Sequence, residues 1–195
     1  MLCLTQPWLV SKYSNIFNKS LSFNCDVQSS ESDTNHDGIN DKLEFGVSIP
    51  LSDNEQINAF RLLMLFDYQM HDITRLHMES AAYIDYSSPV DGSSFSFAGE
   101  LKLHQRESIS MYYDRKVYNT PVVDVTCSTA DCFDLDSVLK EYLNRNETTR
   151  IENSYAVWRG PRGSGQNFKA KIVIHYPSEL VMFRPKFWEM VKYAW

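Results

Sequence analysis

Two stretches of this chain alternate between apolar and polar side chains, and a period of two fits a strand and no helix. Leu43, Phe45, Val47 and Ile49 alternate with Glu44, Gly46 and Ser48. Phe168, Ala170, Ile172, Ile174 and Tyr176 alternate with Lys169, Lys171, Val173 and His175. Successive side chains of a strand point to opposite faces, so this pattern buries one face and wets the other. Phe95, Phe97, Gly99, Leu101 and Leu103 continue the theme over 94–106, after a Ser-Pro-Val-Asp-Gly-Ser turn. Residues 58–69 form a run that Leu and Met would also allow as helix. A strand is preferred there, because a turn-rich segment precedes it and 75–86 alternates after it. Strand-like residues recur at 112–126 and 153–159. Only 135–144 carries helical spacing, through Leu135, Val138, Leu139 and Tyr142, with Asp134 or Asp136 to cap its start. The expected fold is mainly β: an antiparallel β-sandwich of about eight strands with one short α-helix.

The 195 residues carry 19 Lys and Arg against 25 Asp and Glu, a net charge of -6. A nucleic-acid binder needs a basic face to displace counterions, so this balance argues against one. With 43% hydrophobic and 23% charged residues the chain is globular rather than disordered. Its longest nearly apolar run, Ala59–Phe66, is broken by Arg61 and falls short of the roughly 18 residues of a spanning helix. Residues 1–183 are read as one domain and 184–195 as a separate tail.

The polar stretch 28–41 reads as loop, and it holds the sharpest motif. Asp33, Asn35, Asp37, Gly38 and Glu44 match D-x-[DN]-x-[DN]-G-x5-E at every specified position. Calcium takes six to eight hard oxygens, and alternate positions turn Asp33, Asn35 and Asp37 inward. Gly38 permits the bend, Ile39 offers a carbonyl, Asp41 a carboxylate or bridged water, and Glu44 a bidentate carboxylate. A strand follows where an EF-hand would place its exit helix, so the ligand expected is a structural Ca²⁺. The competing reading is an acidic, solvated turn.

Asn18-Lys-Ser and Asn146-Glu-Thr are glycosylation acceptor sites and point to a lumenal or extracellular domain. Met1–Val10 lacks the basic start and apolar core of a signal peptide. An outward-facing domain without an export signal reads as a piece of a longer membrane protein. Cys3, Cys25, Cys127 and Cys132 allow three pairings, and four free thiols are the alternative. In the tail, Phe187, Trp188, Tyr193 and Trp195, beside Lys186 and Lys192, have the composition of a membrane-interface belt. A C-terminal helix docked on the sandwich would use the same residues.

No catalytic framework emerges. His36, His71, His77, His104 and His175 form no zinc spacing; His71 and His77, placed on one strand, would lie about 20 Å apart. There is no G-x-S-x-G elbow. Gly160–Gly165 lacks the Lys-Ser/Thr and helix of a phosphate cradle and reads as a hairpin loop. The chain is expected not to be an enzyme.

The tail from Tyr176-Pro177 through Arg184-Pro-Lys-Phe-Trp-Glu-Met-Val-Lys-Tyr-Ala-Trp195 resembles the lead into the second membrane helix of the transmembrane protein 231 family. Asp33–Gly38 with Leu43–Phe45 and Ser48–Leu51 resembles that family's acidic loop and first long strand. Tyr142–Thr149 resembles its glycosylation segment after a short helix. The resemblance implies an extracytoplasmic domain between two membrane helices, both absent from this sequence. It also implies residence on the extracellular side of the ciliary transition-zone membrane, among the membrane and B9-type proteins of the Meckel syndrome complex. The function implied is non-enzymatic scaffolding of the barrier that controls membrane-protein entry into the cilium, in support of ciliogenesis and Hedgehog signalling. The alternative expectation is a secreted calcium-dependent binding module, lectin-like or adhesive.

Overall fold

A computed structural model describes residues 26–70, 75–110, 114–115, 120–123, 134–185 and 191. The alternating segments form strands close to the boundaries their pattern predicts. In chain order the elements are β1 (Asp26–Ser32), β2 (Lys42–Ile49), β3 (Ala59–Met70), β4 (Arg75–Ser87) and β5 (Ser94–Gln105). Then come the short β6 (Ile109–Ser110) and β7 (Asp114–Arg115), α1 (Leu135–Leu143), β8 (Glu147–Arg159), β9 (Phe168–His175) and β10 (Phe183–Arg184). They build a five-stranded sheet ordered β1-β2-β9-β5-β8, a three-stranded sheet β3-β4-β7 and the pair β10-β6. β2 is antiparallel to β1 and to β9, while β5 runs parallel to β9. The mainly β fold expected from the sequence is the fold observed.

The chain packs as two units. One takes in the described residues up to Met64, with Tyr83–Lys102 and Ile151–Pro177. Here Phe45, Val47 and Ile49 of β2, Phe95 of β5, and Phe168, Ala170, Ile172 and Ile174 of β9 are buried. Phe60, Leu62 and Met64 of β3 and Ile84 of β4 are buried with them. The Phe60 ring centre lies 5.0 Å from that of Phe95 and 6.2 Å from that of Phe168. Trp158 of β8 closes the cluster at 5.9 Å from Phe95 and 5.6 Å from Phe168. Two sheets pack face to face through these side chains, as in a sandwich. Each fully buried ring contributes roughly 1.5–3 kcal/mol. Residue 92 must be glycine, because a Cβ there would sit 2.2 Å from the Trp158 indole.

The other unit takes in Leu65–Ala82, Leu103–Arg150 and the residues from Ser178 onward. Leu76, Met78 and Ile109 form its buried cluster, with Tyr68, Met70, Leu103 and Val181 packed against it. Asp134 caps α1, accepting from the Ser137 N–H at 3.2 Å, and the helix buries Val138 and Tyr142. The Tyr142 hydroxyl accepts from the Thr149 N–H at 2.7 Å, and the Thr149 hydroxyl donates to the Ala81 carbonyl at 3.1 Å. Arg145, buried after the helix, donates to the carbonyls of Glu79, Thr120 and Pro121.

Three local expectations are corrected. Residues 28–32 of the polar stretch are not loop but part of β1, paired from Asp26↔Ser48 to Ser32↔Lys42. All seven residues of β1 are exposed. An edge strand is held by backbone hydrogen bonds to its neighbour and so needs no apolar side chain to betray it. Of 112–126, Asp114–Arg115 is strand, 120–123 is irregular, and the remainder lies outside the described residues. The Gly160–Gly165 segment is not a hairpin loop, since β5 lies between β8 and β9. Its glycines serve a crossing from one strand to the next but one.

Candidate functional site

The acidic loop, residues 33–41, joins β1 to β2, and its side chains fold back on its own backbone. Asp33 accepts from the His36 N–H at 2.7 Å and from the Gly38 N–H at 2.8 Å. Asn35 Oδ1 accepts from Asp37 N at 3.0 Å, and Asp37 Oδ1 accepts from Ile39 N at 2.8 Å. Asp41 Oδ2 takes the N–H groups of Thr34 and Asn35 at 2.9 and 3.3 Å. Asn35 Nδ2 donates to the second Asp37 oxygen at 3.0 Å. The bend needs positive φ at Gly38 (+87°) and at His36 (+60°), residue types that tolerate it. Asp41 N to Ser32 O at 3.0 Å and Tyr176 N to Asp41 O at 2.8 Å fix the base of the loop.

Glu44 stands apart from this cluster. It sits on β2 opposite Ser30 and Val173, where Lys42 and Lys171 bind its two oxygens, the latter at 3.4 Å. The Lys42 hydrogen bond first, and Lys171 next, hold its carboxyl below the ordinary value of 4.5. A bidentate closing ligand must turn both oxygens to the ion, and Glu44 gives both to lysines. The loop therefore gathers Asp33, Asn35, Asp37 and Asp41 around its own N–H groups. Among the described residues no three His, Cys, Asp or Glu side chains come together as a metal site. Of the six residues read from the motif, the loop brings Asp33, Asn35, Asp37 and Asp41 together around the backbone of 34–39, while Glu44 is turned to Lys42 and Lys171. The motif was legible; the lysines that claim Glu44, one of them 127 positions away, were not.

The glycine segment is built around carbonyls rather than anions. Arg162 donates to the carbonyls of Ser52, Glu55 and Gln166 at 2.7, 2.9 and 2.8 Å, and to that of Leu51 at 3.4 Å. The Gly165 N–H, which a phosphate would need, donates to Asp53 at 2.8 Å. His77 likewise has a local partner, Asp67 Oδ1 at 2.8 Å from its Nε2. His77 lies on β4 (Arg75–Ser87).

Asn146 lies between α1 and β8, its backbone carbonyl accepting from Arg106 N at 2.9 Å and its amide donating to Glu107 at 3.4 Å. Thr148, the third residue of that acceptor triplet, is only 2% exposed. Asn18, the four cysteines, His71, Phe187, Trp188, Tyr193 and Trp195 lie outside the described residues.

A feature the sequence reading passed over sits just before the tail. Both Glu179 oxygens accept from the Leu103 N–H, at 2.8 and 2.9 Å. The Tyr68 phenol is pushed well up, by burial first and then by the Glu179 charge. Met182 N donates to Gln105 Oε1 at 2.9 Å, and its carbonyl accepts from Ile109 N at 3.0 Å. Between these ties Val181 packs inward, while Leu180 is 102% and Met182 57% exposed. The signal was the tetrad Leu-Val-Met-Phe, apolar on both faces of an extended segment.

The family described as Transmembrane protein 231 matches residues 5–195. Transmembrane protein 231 of Gallus gallus is 35% identical over 165 residues, 85% of this chain and 52% of that protein. The Xenopus tropicalis protein of the same name is 35% identical over 169 residues, and that of Homo sapiens 34%; each match covers 87% of this chain and 54% of the relative. The chain thus spans about half the length of the curated relatives it matches. No solved structure matches it.

Proposed function

The chain belongs to the transmembrane protein 231 family, and from that premise we propose that it is the ectodomain of a membrane protein that scaffolds the ciliary transition zone. The relatives' shared name describes proteins that cross a membrane. No helix among the described residues here is long and apolar enough to do so. The observation that carries the reading is the family match over residues 5–195 of a chain whose described residues are mainly strands.

In this reading the domain stands on the extracellular side, where Asn18 and Asn146 can receive glycans. The aromatic tail meets the bilayer, and the domain contacts neighbouring membrane and B9-type proteins of the same complex. Its role is non-enzymatic, as one part of the barrier that filters membrane proteins entering the cilium. Ciliogenesis and Hedgehog signalling would depend on it through that barrier.

The test is to image the tagged full-length gene product in ciliated cells beside a marker of the ciliary base. The expected result is a ring confined to the transition zone. Secretion into the medium, or diffuse surface staining, would refute the scaffold and favour a secreted binding module.

A further inference from the structure

Resting on the reading of this chain as a membrane-bound ectodomain, the geometry points to a lipid-facing patch. Leu180 and Met182 enter the bilayer interface, and Arg106 and Arg184 meet anionic headgroups. The two apolar side chains are presented rather than left over. Glu179 anchors the segment to Leu103, Gln105 and Ile109 hold Met182, and Val181 fills the cluster of Leu76, Met78 and Ile109. With Val181 turned in, its neighbours are turned out, and Leu180 is fully exposed. Scattered apolar side chains on a surface mean little, but a pair held outward by hydrogen bonds to Leu103, Gln105 and Ile109 is a fixed apolar surface.

Charge supplies the second argument. Arg184 follows in β10, paired with Ser110. Arg106, next to Gln105, spends one Nη2 on the Leu143 carbonyl at 2.6 Å, which leaves most of its five donors for a phosphate. Leu143 itself is 45% exposed. Apolar tips with an arginine two positions beyond Met182 in the chain, and another next to its partner Gln105, suit the boundary between acyl chains and anionic headgroups. In sequence the segment runs directly into Lys186-Phe187-Trp188, whose composition suits the same depth. A protein partner would also cover leucine and methionine, but this continuity favours lipid.

Vesicle co-sedimentation of the 195-residue chain tests the patch, with phosphatidylcholine alone and with phosphatidylcholine containing phosphatidylserine. Leu180→Ser with Met182→Ser should lower partitioning to both on the order of tenfold. That loss should persist when Phe187→Ser and Trp188→Ser have removed the tail's own contribution. Arg106→Gln with Arg184→Gln should lower the preference for phosphatidylserine several-fold and leave binding to phosphatidylcholine in place; an unchanged preference would remove the arginines from the patch. The serine pair should melt with the parent, since both side chains are exposed. Parent-like partitioning of that pair would overturn the proposal, as would a dimer of the parent chain that the serine pair dissolves. If vesicle binding fails while the transition-zone ring persists, the patch falls and the ectodomain reading stands.

Discussion

Arg162→Met removes a guanidinium and keeps the aliphatic stem. Three carbonyls, those of Ser52, Glu55 and Gln166, lose a donor at 2.7–2.9 Å, and Leu51 loses a longer one at 3.4 Å. Hydrogen bonds to a charged group contribute about 1.5–3 kcal/mol each. Several terms pull that sum down. The guanidinium is only part-buried, its Nε is buried without a hydrogen-bond partner among the described residues, and fixing an arginine costs about 2 kcal/mol of rotamer entropy. The freed carbonyls regain water in part, so the net loss comes to about 2–3 kcal/mol. For a chain of this size that lowers the thermal midpoint by roughly 5–10 °C. Arg162→Lys should recover less than half, because one ammonium cannot reach carbonyls spread over residues 52–55 and 166. Arg61→Met is the internal control. Its pair with Asp85 at 3.3 Å is largely exposed, so the midpoint should move by no more than about 2 °C. Calorimetry of the three variants decides the matter. Equal midpoints for parent and Arg162→Met, or a larger fall for Arg61→Met, would refute the claim that Arg162 ties the glycine segment to residues 51–55.

Other expectations follow from the same contacts. The thermal midpoint should be the same in millimolar Ca²⁺ and in chelator, while Asp33→Ala costs about 1–2 kcal/mol in both through the lost His36 and Gly38 bonds; a calcium-dependent rise abolished by Glu44→Gln would restore the six-ligand cage. Tyr142→Phe should cost about 1–2 kcal/mol in urea melts, because the buried Thr149 N–H loses its acceptor; an unchanged midpoint would show that water replaces the hydroxyl. Glu44 titrates low in the fold, so its pairing is complete above the unfolded value of 4.5 and is lost as pH falls through the lower folded one. Its carboxyl resonance should therefore shift below pH 4.5, and in Lys42→Met it should move back up toward that value; no movement would exonerate Lys42 as the cause. In an alkaline spectrophotometric titration Tyr68 and Tyr176 should ionise well after exposed tyrosines, since burial and the charges of Glu179 and Glu31 raise them; normal ionisation of both would contradict the packing described.

What the sequence made legible and what it hid divide along a physical line. β2 and β9 were readable because each has one buried and one wet face, so the side chains announce the period. β1 was hidden because all seven of its residues are exposed, and the backbone bonds that make it a strand leave no trace in residue type. The helix was readable from its spacing and from Asp134, a local cap. The roles of Arg145 and Arg162 were not, since each binds carbonyls brought in from distant segments. The acidic loop was half legible. Its turn followed from Gly38 and the alternating acids, but the fate of Glu44 depended on Lys171 arriving from β9.

The place of β9 in the five-stranded sheet bears on how this domain is made. β2 finds its antiparallel partner about 120 residues later, where Ile49 meets Phe168, and β5 finds its parallel one at the same strand. At synthesis rates of about 5–20 residues per second, some 6–24 s separate the emergence of β2 from that of β9. Throughout that interval Phe45, Val47 and Ile49, joined by Phe95 once β5 emerges, have no completed sheet to cover them. The sheet cannot close until Phe168–His175 has been made, so β9 is the latch that ends the exposure of these side chains.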